Sequence, residues 1–91
     1  MSPTKLSDKE LLAATKNLVK DERALLLQVL RHLAEIETRR LFLDIGYPSL
    51  WAYCTKELQY SEAAAQRRIE SMRALREFPA LAEKIESGAL T

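Results

Sequence analysis

The sequence predicts an all-α fold, a compact bundle of about five helices that contains a helix-turn-helix. Only 2 glycines and 3 prolines interrupt the 91 residues, so the chain has few helix breakers. Leu, Ala, Glu, Lys and Arg, which favour helices, dominate, and apolar residues recur three and four positions apart. A chain of this length forms one domain at the small end of those that fold alone, so we expect a single helical domain over 1–91.

The first element is a helix that follows a loose start at residues 1–6. Ser7 is followed three positions later by Glu10, the spacing of a capping box, in which each side chain accepts a bond from the other residue's amide. Apolar residues at helical spacing then predict a helix over about 8–19. Asp21 either caps a new helix or lies within a helix that runs on with a bend.

The second helix is the longest and spans about 22–44. Its apolar stripe comprises Leu26, Val29, Leu30, Leu33, Ile36 and Leu43, and Leu25, Leu27 and Phe42 widen it. A helix that is apolar on more than one face lies centrally or packs against another subunit, so this surface is compatible with a homodimer. Glu37 and Arg40 fall inside the apolar sector. They pair with each other or with a partner helix, or the helix curves and its end leaves the core.

The third helix and the turn after it come next. Gly46 ends the second helix, because glycine accepts the left-handed conformation there. Ser49 caps a third helix over about 50–58, and Gln59 with Tyr60 forms the turn. The glycine often found in such a turn is missing, so Gln59 takes that backbone position or the turn differs.

The fourth and fifth helices complete the chain. Ser61 caps the fourth helix, and negative Glu62 suits its first turn. This helix reaches about Phe78, and a short fifth helix covers about 80–86. Residues 89–91 have no obvious cap and look like the start of a further segment.

The segment 50–77 is interpreted as a helix-turn-helix, whose second helix enters the major groove of duplex DNA N-terminus first. Gln66 can pair bidentately with adenine and Arg67 with guanine, and the Ser61 hydroxyl with the free amides can hold a phosphate. The predicted DNA-binding residues are Ser61, Glu62, Ala63, Gln66, Arg67, Arg68, Lys56 and Arg73. Arg76 is a further candidate for phosphate contact, but Arg68 and Arg76 lean toward the apolar sector and have a structural role as the alternative.

Charge and cysteine content limit the partners. The formal net charge is only +1, so DNA binding must rest on local clustering and its non-specific component should be weak. Cys54 is the only cysteine, so no internal disulfide is possible and a buried thiol is expected. No signal peptide or membrane span is evident. We expect a cytoplasmic, nucleoid-associated protein without a membrane partner.

Nearly the whole chain, from about Leu6 to Thr91, resembles the N-terminal region of a family of bacterial HNH-endonuclease-domain proteins. The matching runs are LSDKELLAATKNLV, HLAEIETRRLF, GYPSLWAYCTKELQYSEAAAQRRI and MRALREFPALAEKIESGALT. The third run is the most specific, and it has a looser similarity to partition-protein-type helix-turn-helix segments. The resemblance implies a helical DNA-associating module that a zinc-dependent nuclease normally follows.

The chain departs from that family where the nuclease chemistry is concerned. An HNH site needs a general-base histidine and further His, Asn or acidic ligands, but this chain has one histidine, His32, and one asparagine, Asn17. We therefore expect a non-catalytic chain without cofactor, metal or small-molecule substrate, whose partner is double-stranded DNA. The alternative is a protein-interaction or dimerisation module that uses the apolar face of residues 22–44, with Leu25, Leu27 and Phe42, while the arginines only solvate the surface.

Overall fold

The computed structural model describes residues 2–89, which fold into five α-helices and form no strand. The all-α prediction is confirmed. The parts of the predicted loose start and uncapped end that fall on Met1, Leu90 and Thr91 lie outside the described residues, and Pro3–Lys5 forms a single 3-10 turn. None of the helices in the described range has the length and apolar character needed to cross a membrane.

Helix α1 is one continuous helix, Asp8–Arg39, of 32 residues. It begins at the predicted capping box: the Glu10 amide donates to Ser7 Oγ at 3.2 Å, and the Ser7 amide donates to Glu10 Oε1 at 3.1 Å. Of the two options that the sequence left open at Asp21, the structure has the helix that runs on, because no Gly or Pro interrupts it. At about 1.5 Å per residue, α1 accounts for the 49 Å long dimension of the molecule.

The predicted continuation of this helix to Asp44 is wrong. Arg40 adopts a left-handed backbone conformation, with φ of 54°, and a separate helix α2, Leu41–Asp44, follows. That conformation costs a non-glycine residue roughly 1–2 kcal/mol, so local sequence gives no reason to expect it. The packing of Phe42 against the core compensates, since the change in chain direction places this side chain there.

The remaining helices have nearly the predicted bounds. They are α3, Leu50–Ala52, which continues as one π-helical turn over Tyr53–Glu57, then α4, Glu62–Glu77, and α5, Leu81–Ser87. The Ser49 and Ser61 hydroxyls cap α3 and α4 as predicted, and Gly88 ends α5 in the left-handed conformation with φ of 83°. Local capping signals thus define most of these ends.

The core lies between the C-terminal half of α1 and the helices α3, α4 and α5. Its buried residues are Leu27, Leu30, Leu33, Leu50, Cys54, Ala65, Ile69, Met72, Leu75 and Ile85. Cys54 is 0% exposed, and this burial raises the pKa of its thiol more than nearby Arg68 lowers it. Before Leu27, no residue of α1 is buried.

The burial of residues on α1 reduces the surface available to the alternative interpretation, the protein-interaction module. Leu27 is only 2% exposed and belongs to the core, and Phe42 is half-buried against it, so neither is free to bind a partner as the alternative interpretation requires. Of the three residues, Leu25 alone is largely exposed.

Candidate nucleic-acid interface

The turn between α3 and α4 sets how α4 begins. Gln59 adopts a left-handed conformation with φ of 61°, the first of the two options that the missing glycine left open. The Tyr60 amide then donates to the Cys54 carbonyl oxygen at 3.1 Å, a bond that closes the end of the π-helical turn. The chain reverses in this short connection and reaches the cap residue Ser61.

Helix α4 has one buried and one exposed side. Its buried residues are Ala65, Ile69, Met72 and Leu75. The opposite side, which we call the outward face, consists of the exposed residues Glu62, Ala63, Gln66, Arg67 and Glu70. The division follows from helical spacing, because a period of 3.6 residues brings the apolar positions to one side and the polar positions to the other.

Gln66 and Arg67 both lie on the outward face but differ in their contacts. The Gln66 amide nitrogen donates to Glu70 Oε1 at 2.8 Å, one turn further along the helix. The ion pairs found among residues 2–89 involve Arg39, Arg73 and Arg76, and none involves Arg67. Arg67 can therefore form new contacts without losing an ion pair, whereas Gln66 must first leave Glu70.

The start of α4 offers one donor and one repulsive charge to a phosphate. Ser61 Oγ accepts the Ala64 amide at 3.1 Å, so its own hydroxyl proton remains free to be donated outward. Glu62, in the first turn, adds a carboxylate that opposes a phosphate. Lys56 is exposed on the preceding π-helical turn and is the cation that α3 contributes.

Arg68 is half-buried and lies away from the outward face. Its guanidinium carbon lies 4.3 Å from the centre of the Tyr60 ring, and its Nη1 donates to the Ala64 carbonyl oxygen at 3.3 Å. Its buried Nε has no hydrogen-bond partner among the described residues. The contact with Tyr60 joins the turn to α4, which favours the structural role that the sequence left as an alternative for Arg68.

Arg73 and Arg76 share one carboxylate from α1. Arg73 Nη2 lies 2.9 Å from Glu37 Oε2, and Arg76 pairs with the other oxygen of Glu37, whose side chain is 20% exposed. Partial burial acts to raise the pKa of Glu37, but the two guanidinium groups outweigh it and hold this pKa below its ordinary value. Glu37 thus pairs with a partner helix, one of the options that the sequence left open, and its single negative charge is shared between Arg73 and Arg76.

Trp51 is a residue that sequence analysis did not assign to the site. It is partly exposed and lines a shallow groove beside α4 together with Gln66 and Arg73. Its position immediately after the first residue of α3 follows from the Ser49 cap, but the groove itself arises from the packing of α3 on α4. The one local signal for it is a large aromatic residue two positions after the Ser49 cap.

The described residues show no second kind of site on this surface. Between residues 2 and 89, no three His, Cys, Asp or Glu side chains lie close enough to hold a metal ion. His32 Nδ1 lies 2.6 Å from the carbonyl oxygen of Gln28, within its own helix.

Comparison of the chain with known proteins found no matching family model, no similar curated protein and no similar solved structure.

Proposed function

We propose that the chain is a non-catalytic module that binds duplex DNA in the cytoplasm, at the nucleoid. In this proposal α3, the turn and α4 act as a helix-turn-helix, and the first two turns of α4 enter the major groove. The supporting observation is that the inner side of α4 is held in the core while its outward face is exposed. A rigid helix therefore presents Gln66 and Arg67 near its N-terminus.

The charges of the outward face imply weak non-specific binding. Glu62 and Glu70 outnumber Arg67 on this face, Lys56 adds one positive charge from the preceding turn, and Arg73 shares the carboxylate of Glu37 with Arg76. Few phosphates can be contacted, so base edges must supply a larger share of the affinity in addition to the discrimination. Arg67 is proposed to read guanine, and Gln66 to exchange its bond to Glu70 for adenine.

The resemblance to HNH-endonuclease N-terminal regions suggests how such a module is used. In a longer parent it would bring a linked nuclease domain to DNA, and alone it would act as a regulator. The module itself would contribute binding and no chemistry, because its sequence lacks the histidines that an HNH site requires.

The test is to select duplexes from a random pool with the wild-type chain and to measure the affinity for the enriched duplex by fluorescence anisotropy. With three or four phosphate contacts, the logarithm of the association constant should fall with the logarithm of salt concentration with a slope of about −3. The double variant Gln66→Ala and Arg67→Ala should lose at least about tenfold in affinity, since each bidentate base contact is worth about 1–3 kcal/mol.

The matched control is Arg39→Ala, which removes one positive charge from an exposed pair with Glu35 at the end of α1. It should change the affinity by less than about twofold if the contacts lie on α4. Failure of the wild-type chain to enrich any duplex, or equal losses in the two variants, would contradict the proposal. Thermal unfolding followed by circular dichroism checks that both variants remain folded.

A further inference from the structure

Glu70 lies on the outward face of α4 and holds Gln66, the residue that is proposed to read adenine. Its Oε1 accepts a hydrogen bond from the Gln66 amide nitrogen at 2.8 Å. The Cα of Glu70 begins the third turn of α4, but side chains on a helix lean toward its N-terminus. The carboxylate therefore lies beside the second turn, and a base edge that reaches Gln66 is also close to it.

No ion pair neutralises Glu70 within residues 2–89. The ion pairs found there involve Glu35 and Glu37 as the acidic partners, and the hydrogen-bond partner of Glu70 is a neutral amide. The major groove lies between two lines of phosphates, which repel a carboxylate. Entry of α4 into this groove therefore costs free energy unless Glu70 meets a hydrogen-bond donor there.

The proposed contact of Gln66 with adenine removes the donor that Glu70 has in the free protein. Adenine engages both ends of the Gln66 amide, because its N6 amino group donates to the amide oxygen and its N7 accepts from the amide nitrogen. An ionised carboxylate only accepts hydrogen bonds. Once Gln66 has turned to adenine, the DNA must supply a new donor to Glu70.

The bases differ in whether they offer such a donor in the major groove. Guanine and thymine present acceptors there, whereas cytosine presents its N4 amino group and adenine presents its N6 amino group beside the acceptor N7. The lone pair of N7 repels a carboxylate that approaches the neighbouring amino group. Cytosine is therefore the base that suits Glu70 best.

The distance between the two side-chain ends suits two neighbouring base pairs. The Gln66 nitrogen and the Glu70 oxygen lie 2.8 Å apart. Successive base pairs follow one another at about 3.4 Å along the duplex. The two ends can therefore reach successive bases without a change in the backbone of α4.

We propose that Glu70 is a specificity-determining residue, which selects a cytosine in the base pair next to the adenine bound by Gln66. The bond between the two side chains is then replaced by one contact from each of them to the DNA. Guanine and thymine are rejected at the cytosine position, because their acceptors face the negative charge of Glu70. The inference rests on the proposed DNA binding and adds one base to the recognised site.

Selection from a random duplex pool tests this assignment with wild type, Gln66→Ala and Glu70→Gln. The wild-type pool should be enriched in adenine next to cytosine. Gln66→Ala should lose the adenine and keep the cytosine. Glu70→Gln should keep the adenine and lose the cytosine, because an amide both donates and accepts and so tolerates other bases.

Fluorescence anisotropy gives the size of the effect. Replacement of the C·G pair by T·A should lower the affinity of wild type at least about fivefold, since one mismatched base pair costs about 1–3 kcal/mol. The same replacement should change the affinity of Glu70→Gln by less than about twofold, because its amide can also donate to the thymine oxygen. Circular dichroism checks that the variants remain folded.

The matched control is Glu77→Gln. Glu77 is exposed and lies seven residues after Glu70, on the same side of α4, so the variant loses an equal charge two turns further from the groove. It should keep the wild-type preference for cytosine.

The outcomes separate this inference from the proposed function. A wild-type pool without the cytosine, a cytosine preference that survives in Glu70→Gln, or its equal loss in Glu77→Gln would overturn the role of Glu70 and leave DNA binding standing. A wild type that enriches no duplex would overturn both.

Discussion

The two halves of α1 have the same kind of apolar periodicity but different surroundings. In the C-terminal half, Leu27, Leu30 and Leu33 are buried by α3, α4 and α5. In the N-terminal half, Leu12 and Leu18 stand exposed, and no described helix packs on them. Periodicity therefore identifies which side of a helix is apolar, but what covers that side is decided by distant segments of the chain.

The largest contrast between the halves should appear when one leucine from each is truncated. Leu30→Ala should lower the free energy of unfolding by about 2–5 kcal/mol, because Leu30 is 0% exposed and its loss leaves a cavity. Leu18→Ala should change it by less than about 0.5 kcal/mol at protein concentrations too low for association. Urea denaturation at a few micromolar measures both, and similar values for the two variants would remove the distinction.

In the C-terminal half of α1, which the other helices cover, Glu37 also forms ion pairs with two arginines of α4. Glu37→Gln should lower the free energy of unfolding by about 1–2 kcal/mol at pH 7, since a largely buried carboxylate loses charged hydrogen bonds. Glu35→Gln is the matched control, because the exposed pair of Glu35 with Arg39 is worth less than about 0.5 kcal/mol.

The effect of Glu37 depends on pH in a defined direction. Its pKa in the folded chain lies below the ordinary value of 4.5, so the carboxylate stabilises the fold above that value and loses this contribution as pH falls through the lowered pKa. The difference between wild type and Glu37→Gln should therefore be complete at pH 7 and shrink below about pH 4. A difference that stays constant down to pH 2 would mean that packing, and not charge, holds α1 to α4.

Much of this fold follows from local sequence signals. The serine caps, Gly46 and Gly88 define most helix ends, and helical spacing separates the two sides of α4. The left-handed Arg40 could not be predicted, because no local signal favours that conformation and the packing of Phe42 that accompanies it is a tertiary contact. At Asp21 the sequence left two options open, since a capping residue also tolerates a position inside a long helix, and the structure has the continuous helix.

The candidate site was predictable in part. The exposure of Gln66 and Arg67 follows from their position on α4. The pairing of Arg73 with Glu37 joins residues 36 positions apart, so no local pattern contains it. The contact of Arg68 with Tyr60 likewise depends on how the turn folds back on α4. Sequence periodicity predicts toward which side of its helix a side chain points. Whether a residue distant in sequence pairs with its charge is seen only in the tertiary structure.

The smallest effects should come from removing a serine cap. They should differ between α4, which packs on the core, and the exposed N-terminal half of α1. Ser61→Ala removes the hydroxyl that accepts the Ala64 amide in packed α4, and it should cost about 1 kcal/mol of global stability. Ser7→Ala removes the equivalent bond from the uncovered half of α1, which can fray without unfolding the core. Its global cost should stay below about 0.5 kcal/mol, while amide exchange over residues 11–19 becomes several-fold faster.

Hydrogen exchange measured at low protein concentration separates these outcomes, because it reports local opening and global unfolding at different amides. In Ser7→Ala the amides of Leu30 and Leu33 should exchange as in wild type. Equal acceleration at those core amides would mean that both halves of α1 unfold as one unit. The two halves would then differ in exposure but not in local stability.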